Sequence, residues 1–296
     1  MSGEQNSAKA AGRTRLPGHF KQTIVRSPKV DEVAGTLNRL SLNTVCEEAR
    51  CPNRNNCYSE GTATFLIMGG SCTRSCSFCA VSKTAPQPLD QNEPYSVARA
   101  ARDLKLKYVV VTSVTRDDLE DGGAGHFVRV INEVRSMNPA SLIEVLTPDF
   151  QGRPESVDAV IAARPNVFNH NLETIERLYP VVRPQAEYRR SLDLISRVKR
   201  HGLVAKSGLM VGLGETVPEI KNVMADLADC GCDIVTIGQY LAPSALHHPV
   251  ARYWEPGEFE ECRDYGQDVL GFKSVVAGPL VRSSYYAHQT YQRINH

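Results

Sequence analysis

The 296-residue sequence contains no apolar run that approaches the ~20 residues of a membrane-spanning helix. Its first residues, MSGEQNSAKAAGRTRLPGHF, lack the apolar segment of a secretory signal. The net charge at pH 7 is only +1, so bulk charge gives no basis for binding nucleic acid or a membrane surface. We therefore expect neither a nucleic acid nor a membrane among its partners.

Low-complexity linkers and short-period repeats are also missing from the sequence. Hydrophobic residues make up 42% of the chain and charged residues 23%, which is typical of a globular protein with a substantial core. The length permits one large α/β domain or two ordinary domains.

Acidic residues are scarce at the N-terminus. Up to residue 30, Glu4 is the one acid, against six basic residues: Lys9, Arg13, Arg15, Lys21, Arg26 and Lys29. We interpret residues 1–40 as a flexible basic arm, in the simplest case a solvated terminus. A docking arm for an acidic protein and a mitochondrial presequence are the alternatives.

The chain is rich in cysteine over one short stretch. Six of its nine cysteines lie between residues 46 and 79, in two triplets: Cys46, Cys51 and Cys57, then Cys72, Cys76 and Cys79. An odd number of cysteines cannot all pair within one chain. In the cytoplasm, the location that we predict, thiols stay reduced and hold metals or carry out chemistry.

Short β-branched runs alternate with helical patterns downstream of Cys57. The predicted strands are TATFLIM (62–68), KYVVVTSV (107–114), SLIEVL (141–146), PNVFNH (165–170), AKSGLMVGL (205–213) and CDIVTIG (232–238). Such alternation predicts parallel strands in an open sheet or in a full or partial barrel. Ligands gather at the C-terminal ends of such strands, which is where Cys72 follows the first one.

Two helical stripes support this α/β pattern. One contains Val97, Ala101 and Leu104, and the other Ile220, Val223, Met224 and Leu227. The second begins at the capping box formed by Thr216 and Glu219, with Pro218 in the first turn, and ends before Gly231.

The cysteine spacing argues against structural zinc, which takes four ligands in two close pairs. Between residues 46 and 79 there is one C-x2-C pair, Cys76 and Cys79, and no histidine. The run C-x3-C-x2-C suits three corners of a four-iron cube and leaves one iron open for a reacting molecule. A zinc knot and a set of redox thiols are the alternatives.

The run CTRSCSFC (72–79), with Phe78 as its aromatic residue, resembles the signature of the radical S-adenosylmethionine (SAM) enzymes. In that family the open iron chelates SAM, and an electron from the cluster releases a 5′-deoxyadenosyl radical. GLMVGLGE (208–215) resembles the strand that lies along the adenosine, which implies SAM contacts at Gly208, Met210 and Gly212. On its own, this Gly-rich run also fits a strand that ends in a tight turn.

A closer resemblance, over residues 42–286, is to the lipoyl synthase family. It rests on C-x4-C-x5-C followed by C-x3-C-x2-C, and on GTATF (61–65), TSVTRDDLEDGG (112–123), VFNHNLET (167–174), KSGLMVGLGET (206–216), GQYLAPS (238–244) and GPLVRSSY (278–285). The resemblance implies a partial (β/α)6 TIM-type barrel with N- and C-terminal extensions. We divide the chain into the arm (1–40), an auxiliary-cluster segment (41–60), the barrel (61–277) and a C-terminal segment (278–296).

The resemblance implies insertion of sulfur at C6 and C8 of an octanoyl chain linked to a carrier lysine, with two SAM molecules used. A second [4Fe–4S] cluster, held by Cys46, Cys51, Cys57 and a serine, would be the sulfur source. We assign that serine to Ser284, with Ser283 as the alternative. The implied partners are octanoylated lipoyl domains or a glycine-cleavage H-type protein, an electron donor such as ferredoxin or flavodoxin, and an iron–sulfur carrier protein.

Several polar residues remain open to two interpretations. Asn169, Asn171 and Glu173 either contact SAM or substrate, or serve as loop and capping residues. Lys206 is either a partner of the SAM carboxylate or a surface lysine. For Arg116, Asp117 and Asp118, and for His247 and His248, the simpler interpretation is a polar loop. For Cys230, Cys232 and Cys262, the simpler interpretation is burial as small apolar residues.

Three alternative functions stay open at this point. One is another radical SAM enzyme that inserts sulfur or transfers a methylthio group. The others are an iron–sulfur electron carrier or scaffold, and a zinc-containing structural protein.

Overall fold

The computed structural model describes residues 16–21, 27–60 and 62–295. Its centre is an eight-stranded sheet whose strands are neighbours in chain order. The strands are β1 Asn43–Thr44, β2 Thr64–Ile67, β3 Tyr108–Ser113, β4 Leu142–Leu146, β5 Val167–Asn169, β6 Val204–Val211, β7 Ile234–Gln239 and β8 Ser274–Gly278. β1 is antiparallel to β2, and all other neighbouring pairs are parallel.

Eleven helices accompany the sheet within the described part of the chain. They are α1 Pro28–Arg39, α2 Val45–Glu48, α3 Arg54–Ser59, α4 Glu93–Asp103, α5 Ala124–Met137, α6 Pro154–Ala162, α7 Tyr179–Val182, α8 Tyr188–Arg200, α9 Val217–Asp229, α10 Pro256–Asp264 and α11 Ala287–Ile294. Short 3₁₀ turns occupy Gly18–Phe20, Phe150–Gly152 and Glu176–Leu178, and a π turn Tyr265–Val269 follows α10.

The predicted fold class is confirmed. Strands β2 to β7 are the six parallel strands that the hydrophobic runs predict, and they are buried on both faces. β1 and β8 are the ends of the sheet, and no pairing closes it within the described part of the chain. The sheet is therefore a partial barrel.

Helix α9 shows how closely the sequence sets these elements. Thr216 accepts a hydrogen bond from the backbone N–H of Glu219, and the Glu219 carboxylate accepts one from the N–H of Thr216, which completes the predicted capping box. The predicted stripe, Ile220, Val223, Met224 and Leu227, is the buried face. Both predictions are confirmed.

The N-terminal prediction needs correction. Residues 28–39, which we assigned to a flexible arm, form α1, and its Val33 and Leu37 are at most 1% exposed. Ser27 caps the helix, and Phe20 further upstream is buried against Tyr253. These residues belong to the folded body, whereas Lys9, Arg13, Arg15 and Arg26 lie outside the described residues.

The C-terminal segment runs back across the sheet from β8. The side chain of Asn53, before α3, donates a hydrogen bond to the carbonyl of Leu280. Farther along, Ala287 of α11 packs with Tyr108 and Val110 of β3. The segment thus connects the cysteine-bearing N-terminal helices with the barrel. Within the described part of the chain, no helix is long and apolar enough to cross a membrane.

Candidate active site

A cavity of about 530 Å³ lies at the C-terminal ends of the strands, and we call it the main cavity. Five of the six clustered cysteines line it: Cys46, Cys51, Cys72, Cys76 and Cys79. The other predicted site residues that line it are Phe78, Asn169, Asn171, Glu173, Gly208, Met210, Ser283 and Ser284. The fold thus brings five of the six clustered cysteines and the serine pair to one cavity. Cys57, Lys206 and Gly212 are not part of its wall.

The second triplet lies on a loop that leaves β2 through a sharp turn. Met68 and Gly69 both adopt positive φ, at 69° and 88°. A side chain at Gly123 would overlap the Met68 sulfur, so this close approach requires glycine. The Cys72 N–H donates to the Ser82 carbonyl (2.8 Å), and its sulfur accepts from the N–H of Thr115 (3.3 Å). These two hydrogen bonds fix the position of Cys72 between the loops after β2 and β3.

Arg74, a residue that the sequence did not single out, connects this loop to the neighbouring loops. Its guanidinium donates to Asp117 at 2.7 and 3.0 Å and to Asp149 at 2.5 Å. Burial alone would raise the pKa of Asp149, but the hydrogen bond from Arg74 and its charge hold that pKa at about 2. The loops after β2, β3 and β4 are therefore joined by one buried ionic cluster. Asp117, for which we preferred a plain polar loop, is one of its members.

The thiols of both triplets are partly desolvated. Burial raises the pKa of Cys76 and Cys79, and the nearby Arg183 charge opposes the rise at Cys76. Burial also raises the pKa of Cys46 to about 11 and that of Cys57 to about 12. Without metal these side chains are thiols at neutral pH, so a metal that binds them must displace protons.

Ser283 and Ser284 point to different neighbours. The Ser284 hydroxyl accepts a hydrogen bond from Thr64 Oγ1 at 2.8 Å. A backbone hydrogen bond from the same Thr64 opposes the burial-driven rise in the pKa of Cys46, so Ser284 and the first triplet meet at Thr64. The Ser283 hydroxyl accepts instead from Asn171 Nδ2 at 2.7 Å.

The segment after β5 lies alongside β6. The Glu173 N–H donates to the Gly208 carbonyl at 2.9 Å, and its carbonyl accepts from Met210 N–H at 2.7 Å. Glu173 adopts a positive φ of 66°, and its carboxylate accepts from Asn171 at 3.0 Å. Burial raises the pKa of Glu173, while Arg183 opposes the rise. The segment thus presents an amide and a carboxyl group to the main cavity.

Several buried polar atoms of these lining residues have no partner among the described residues: Asn169 Oδ1, Asn171 Oδ1, Thr147 Oγ1 and Arg183 Nε. Buried polar atoms in native proteins are almost always hydrogen-bonded. A polar cofactor with both donors and acceptors, such as SAM, fits this part of the wall. Arg183, which we did not predict, also donates to the carbonyls of Asn171 and Leu172.

The three predicted positions on and after β6 differ in location. A Cβ at Gly208 would lie 2.7 Å from Asn171 Oδ1 and 2.9 Å from Thr236 Oγ1, so glycine leaves room for those polar groups. Met210 also lines the main cavity. Gly212 lies beyond the end of the strand with φ of 92°, where a Cβ would overlap Gln239 and approach the Arg252 carbonyl to 2.6 Å. Packing therefore requires glycine at this position, and direct contact of Gly212 with SAM stays a prediction.

Lys206 is neither a surface residue nor part of the wall. Its ammonium lies 2.8 Å from Glu144, and the two side chains are 2% and 1% exposed. Glu144 also accepts from Tyr108 at 2.6 Å and from Asn169 at 3.3 Å. Burial contradicts the surface interpretation of Lys206, and contact with the SAM carboxylate stays a prediction. Lys206 supports Glu144, which does line the main cavity.

The remaining candidates have structural roles. Arg116 pairs with Asp118 at 2.8 Å. His248 lies 3.2 Å from the Leu213 carbonyl and His247 2.8 Å from Ser244, as expected for a polar loop. Cys232 and Cys262 are buried, and Cys230 is half-buried against the same core.

Sequence comparison shows the family. The pattern that describes the Radical SAM superfamily matches residues 66–238. The chain is 52% identical over 280 residues to the lipoyl synthase of Caldicellulosiruptor saccharolyticus, covering 94% of this chain and 98% of that one. It is 50% identical over 294 residues to the lipoyl synthase of Nitratidesulfovibrio vulgaris strain Hildenborough, covering 99% of this chain and 97% of that one.

Solved structures share the fold at low identity. The FeFe-hydrogenase maturase HydG from Carboxydothermus hydrogenoformans superposes with a TM-score of 0.58 at 15% identity, over 77% of this chain and 56% of that one. Streptococcus suis SuiB bound to S-adenosylmethionine superposes with a TM-score of 0.57 at 12% identity, over 84% of this chain and 60% of that one.

The family uses SAM and two [4Fe–4S] clusters, and its substrate is a lipoyl carrier protein. The two triplets and the unpartnered polar atoms of the main cavity fit those cofactors. The chain belongs to the lipoyl synthase family of radical SAM enzymes, and it is a sulfur-transferring enzyme.

Proposed function

We propose that this enzyme inserts one sulfur atom at each of C6 and C8 of an octanoyl chain that is amide-linked to a carrier lysine. The observation that supports this most directly is the shared main cavity, in which cysteines of both triplets face the same space. When bound, SAM and one cluster supply a carbon radical able to take hydrogen from an unactivated C–H bond, and the other cluster supplies sulfur. Both reagents must reach the same carbon chain, and a common cavity allows this.

Cys72, Cys76 and Cys79 would hold the cluster that binds SAM. Arg74 would position their loop through Asp117 and Asp149. Phe78, Asn169, Glu173, Gly208 and Met210 would form the SAM pocket between that loop and the segment after β5. Lys206 and Gly212 would act on this pocket indirectly, through Glu144 and through the turn after β6.

Cys46, Cys51, Cys57 and Ser284 would hold the auxiliary cluster. Ser284 is favoured over Ser283 because its hydroxyl and Cys46 share Thr64 as a neighbour, whereas the Ser283 hydroxyl faces Asn171. A serine oxygen is a harder ligand than a thiolate. The iron that it binds would then be the easiest to release when the cluster gives up sulfur.

The finer assignments rest on family membership. The carrier would be a lipoyl domain of a 2-oxo acid dehydrogenase or a glycine-cleavage H-type protein. A ferredoxin or flavodoxin would supply electrons, and an iron–sulfur carrier protein would rebuild the auxiliary cluster. The enzyme would work in the cytoplasm, with residues 41–60 as the auxiliary-cluster segment, 61–277 as the barrel and 278–296 as the C-terminal segment.

Anaerobic reconstitution tests the proposal. The protein is mixed with SAM, a reductant and an octanoyl-lysyl peptide, and the peptide is analysed by mass spectrometry. We expect products with one and two added sulfur atoms, together with 5′-deoxyadenosine. If the unmodified enzyme released 5′-deoxyadenosine but formed no sulfur-containing peptide, the proposed reaction would be contradicted.

A further inference from the structure

The auxiliary-cluster residues do not all face the main cavity. Cys57 lines a separate cavity of about 320 Å³, the second cavity, together with Thr62, Lys105, Lys107 and Gln289. Ser284 lines both cavities, and so does Val110. The C-terminal segment at Ser284 is therefore part of the wall between them.

The two cavities lie toward opposite ends of the sheet. The main cavity is walled by residues that follow strands, such as Thr115 after β3 and Thr147 after β4. The second cavity is walled by residues that precede them, such as Thr62 before β2 and Lys107 before β3. An octanoyl-lysyl arm that enters the main cavity therefore leaves the second cavity open.

The rim of the second cavity is positively charged. Its wall contains Lys29, Lys105 and Lys107 against Glu60 as the acid. Lys29 pairs with Glu32 at 2.9 Å, but Lys105 and Lys107 are exposed and form no salt bridge with any described residue. An uncompensated positive rim raises the local concentration of small anions.

We propose that the second cavity is an exchange route for the auxiliary cluster, through which iron and sulfide reach and leave the corner at Cys57 and Ser284. The passing species would be small anions, namely hydrosulfide and anionic thiolate complexes of iron. The inference rests on the proposed function, and it adds that the consumed cluster is refilled from the side opposite the substrate.

The helix α11 offers a matched pair of variants. Gln289 is exposed and lines the second cavity, whereas Gln292 is exposed on the same helix and does not. Gln289→Trp should obstruct the cavity, and Gln292→Trp adds the same bulk elsewhere. Both are made in the full chain carrying Cys72→Ala, Cys76→Ala and Cys79→Ala, so that the first triplet holds the remaining cluster. Release of its iron to a sulfonated phenanthroline is followed by absorbance under anaerobic conditions.

We expect Gln289→Trp to slow iron release several-fold and Gln292→Trp to leave it unchanged. Equal rates in both variants and in the parent would overturn the proposal. The charge variant Lys105→Glu/Lys107→Glu gives an independent test if Gln289→Trp does not fold. It should slow release to the anionic chelator more than release to a neutral bipyridine, and an unchanged ratio of the two rates would also overturn the proposal.

Product analysis separates this inference from the proposed function. The Gln289→Trp variant is also made in the chain that keeps all nine cysteines, and it is loaded with both clusters. It should complete its first turnover as the unsubstituted protein does, because that turnover does not require the auxiliary cluster to be refilled. If the parent forms no sulfur-containing peptide, the proposed function fails whatever the rates of iron release.

Discussion

At the scale of single residues, the most consequential contact is the buried pair of Lys206 and Glu144. Each side chain is almost fully excluded from solvent, and Glu144 accepts a further hydrogen bond from Tyr108. Removing one partner of such a pair leaves an uncompensated buried charge, which typically costs about 3–5 kcal/mol. The pair therefore matters for stability as well as for the floor of the main cavity.

We predict that Lys206→Met lowers the free energy of unfolding by about 3–5 kcal/mol, measured by urea denaturation of the metal-free protein. Lys221→Met is the matched control, because Lys221 pairs with Glu261 on the surface at the same 2.8 Å. That variant should lose at most about 1 kcal/mol. Equal losses in the two variants would contradict the importance of burial.

The serine pair makes a second prediction at this scale. Ser284→Ala should change the electron paramagnetic resonance signal of the reduced auxiliary cluster and lower the yield of two-sulfur product. Ser283→Ala should leave the cluster signal intact and affect SAM affinity through Asn171. The reverse pattern would assign the ligand to Ser283.

At the scale of elements, the loop with the second triplet depends on Arg74. Arg74 lowers the pKa of Asp149 to about 2 from an ordinary value near 3.8. A carboxyl group whose pKa is depressed by folding stabilises the protein above its unfolded pKa, and that stability is lost as pH falls through the folded pKa. The affected window therefore runs from about pH 4 down to about pH 2.

We predict that Arg74→Ala moves acid unfolding of the metal-free protein to higher pH and weakens cluster retention by the second triplet. Arg74→Lys should restore neither the acid stability nor the cluster retention, because a lysine cannot replace a guanidinium that reaches two carboxylates. Arg197→Ala, which breaks a more exposed pair with Asp158, is the control and should barely shift the transition. Circular dichroism against pH measures the first effect and iron content the second.

The glycines of β6 and its turn give a further prediction. Gly208→Ala should weaken SAM binding, because the added methyl group displaces Asn171 and Thr236. Gly212→Ala should instead lower the melting temperature, since its φ of 92° and the nearby Arg252 carbonyl leave no room for a side chain. Gly257→Ala, with nothing within 4 Å, is the control for both. SAM affinity by calorimetry and melting by circular dichroism distinguish the two effects.

The sequence predicts these elements unevenly. Each of the six buried strands is recognisable because a strand covered on both faces is a continuous apolar run. β1 has two residues, and β8 is largely half-buried, so neither leaves such a run. Helix α1 escapes prediction because its charged face dominates the composition, and the packing of Val33 and Leu37 is a tertiary contact.

The site shows the same division. Cysteine spacing predicts the two metal-binding triplets, because a short loop must fix the relative positions of its ligands. Arg74 and Glu144 could not be identified, since each acquires its partners from strands or loops distant in sequence. Arg183 could not be identified either, because its contacts depend on how the segment after β5 folds back. Lys206 lies on the same face of β6 as Gly208 and Met210, because alternate residues of a strand point to the same side. This alternation does not show which residue a side chain will contact.

At the scale of the whole molecule, segments from both ends of the chain complete a site that the barrel alone lacks. The N-terminal helices bring Cys46 and Cys51 to the main cavity, and the C-terminal segment brings Ser283 and Ser284. The hydrogen bond from Asn53 to the Leu280 carbonyl links the two segments directly. On the proposed assignment of the two triplets, the barrel would supply the radical chemistry and the two extensions would supply the sulfur.

The Cys46→Ala variant tests this division of labour most directly. It is given SAM, reductant and octanoyl-lysyl peptide without oxygen, and one mass-spectrometric run quantifies 5′-deoxyadenosine and the sulfur-containing peptides. We predict that the variant still forms 5′-deoxyadenosine but adds no sulfur, because the second triplet is intact while the auxiliary cluster is not. Sulfur insertion equal to that of the parent protein would contradict the account.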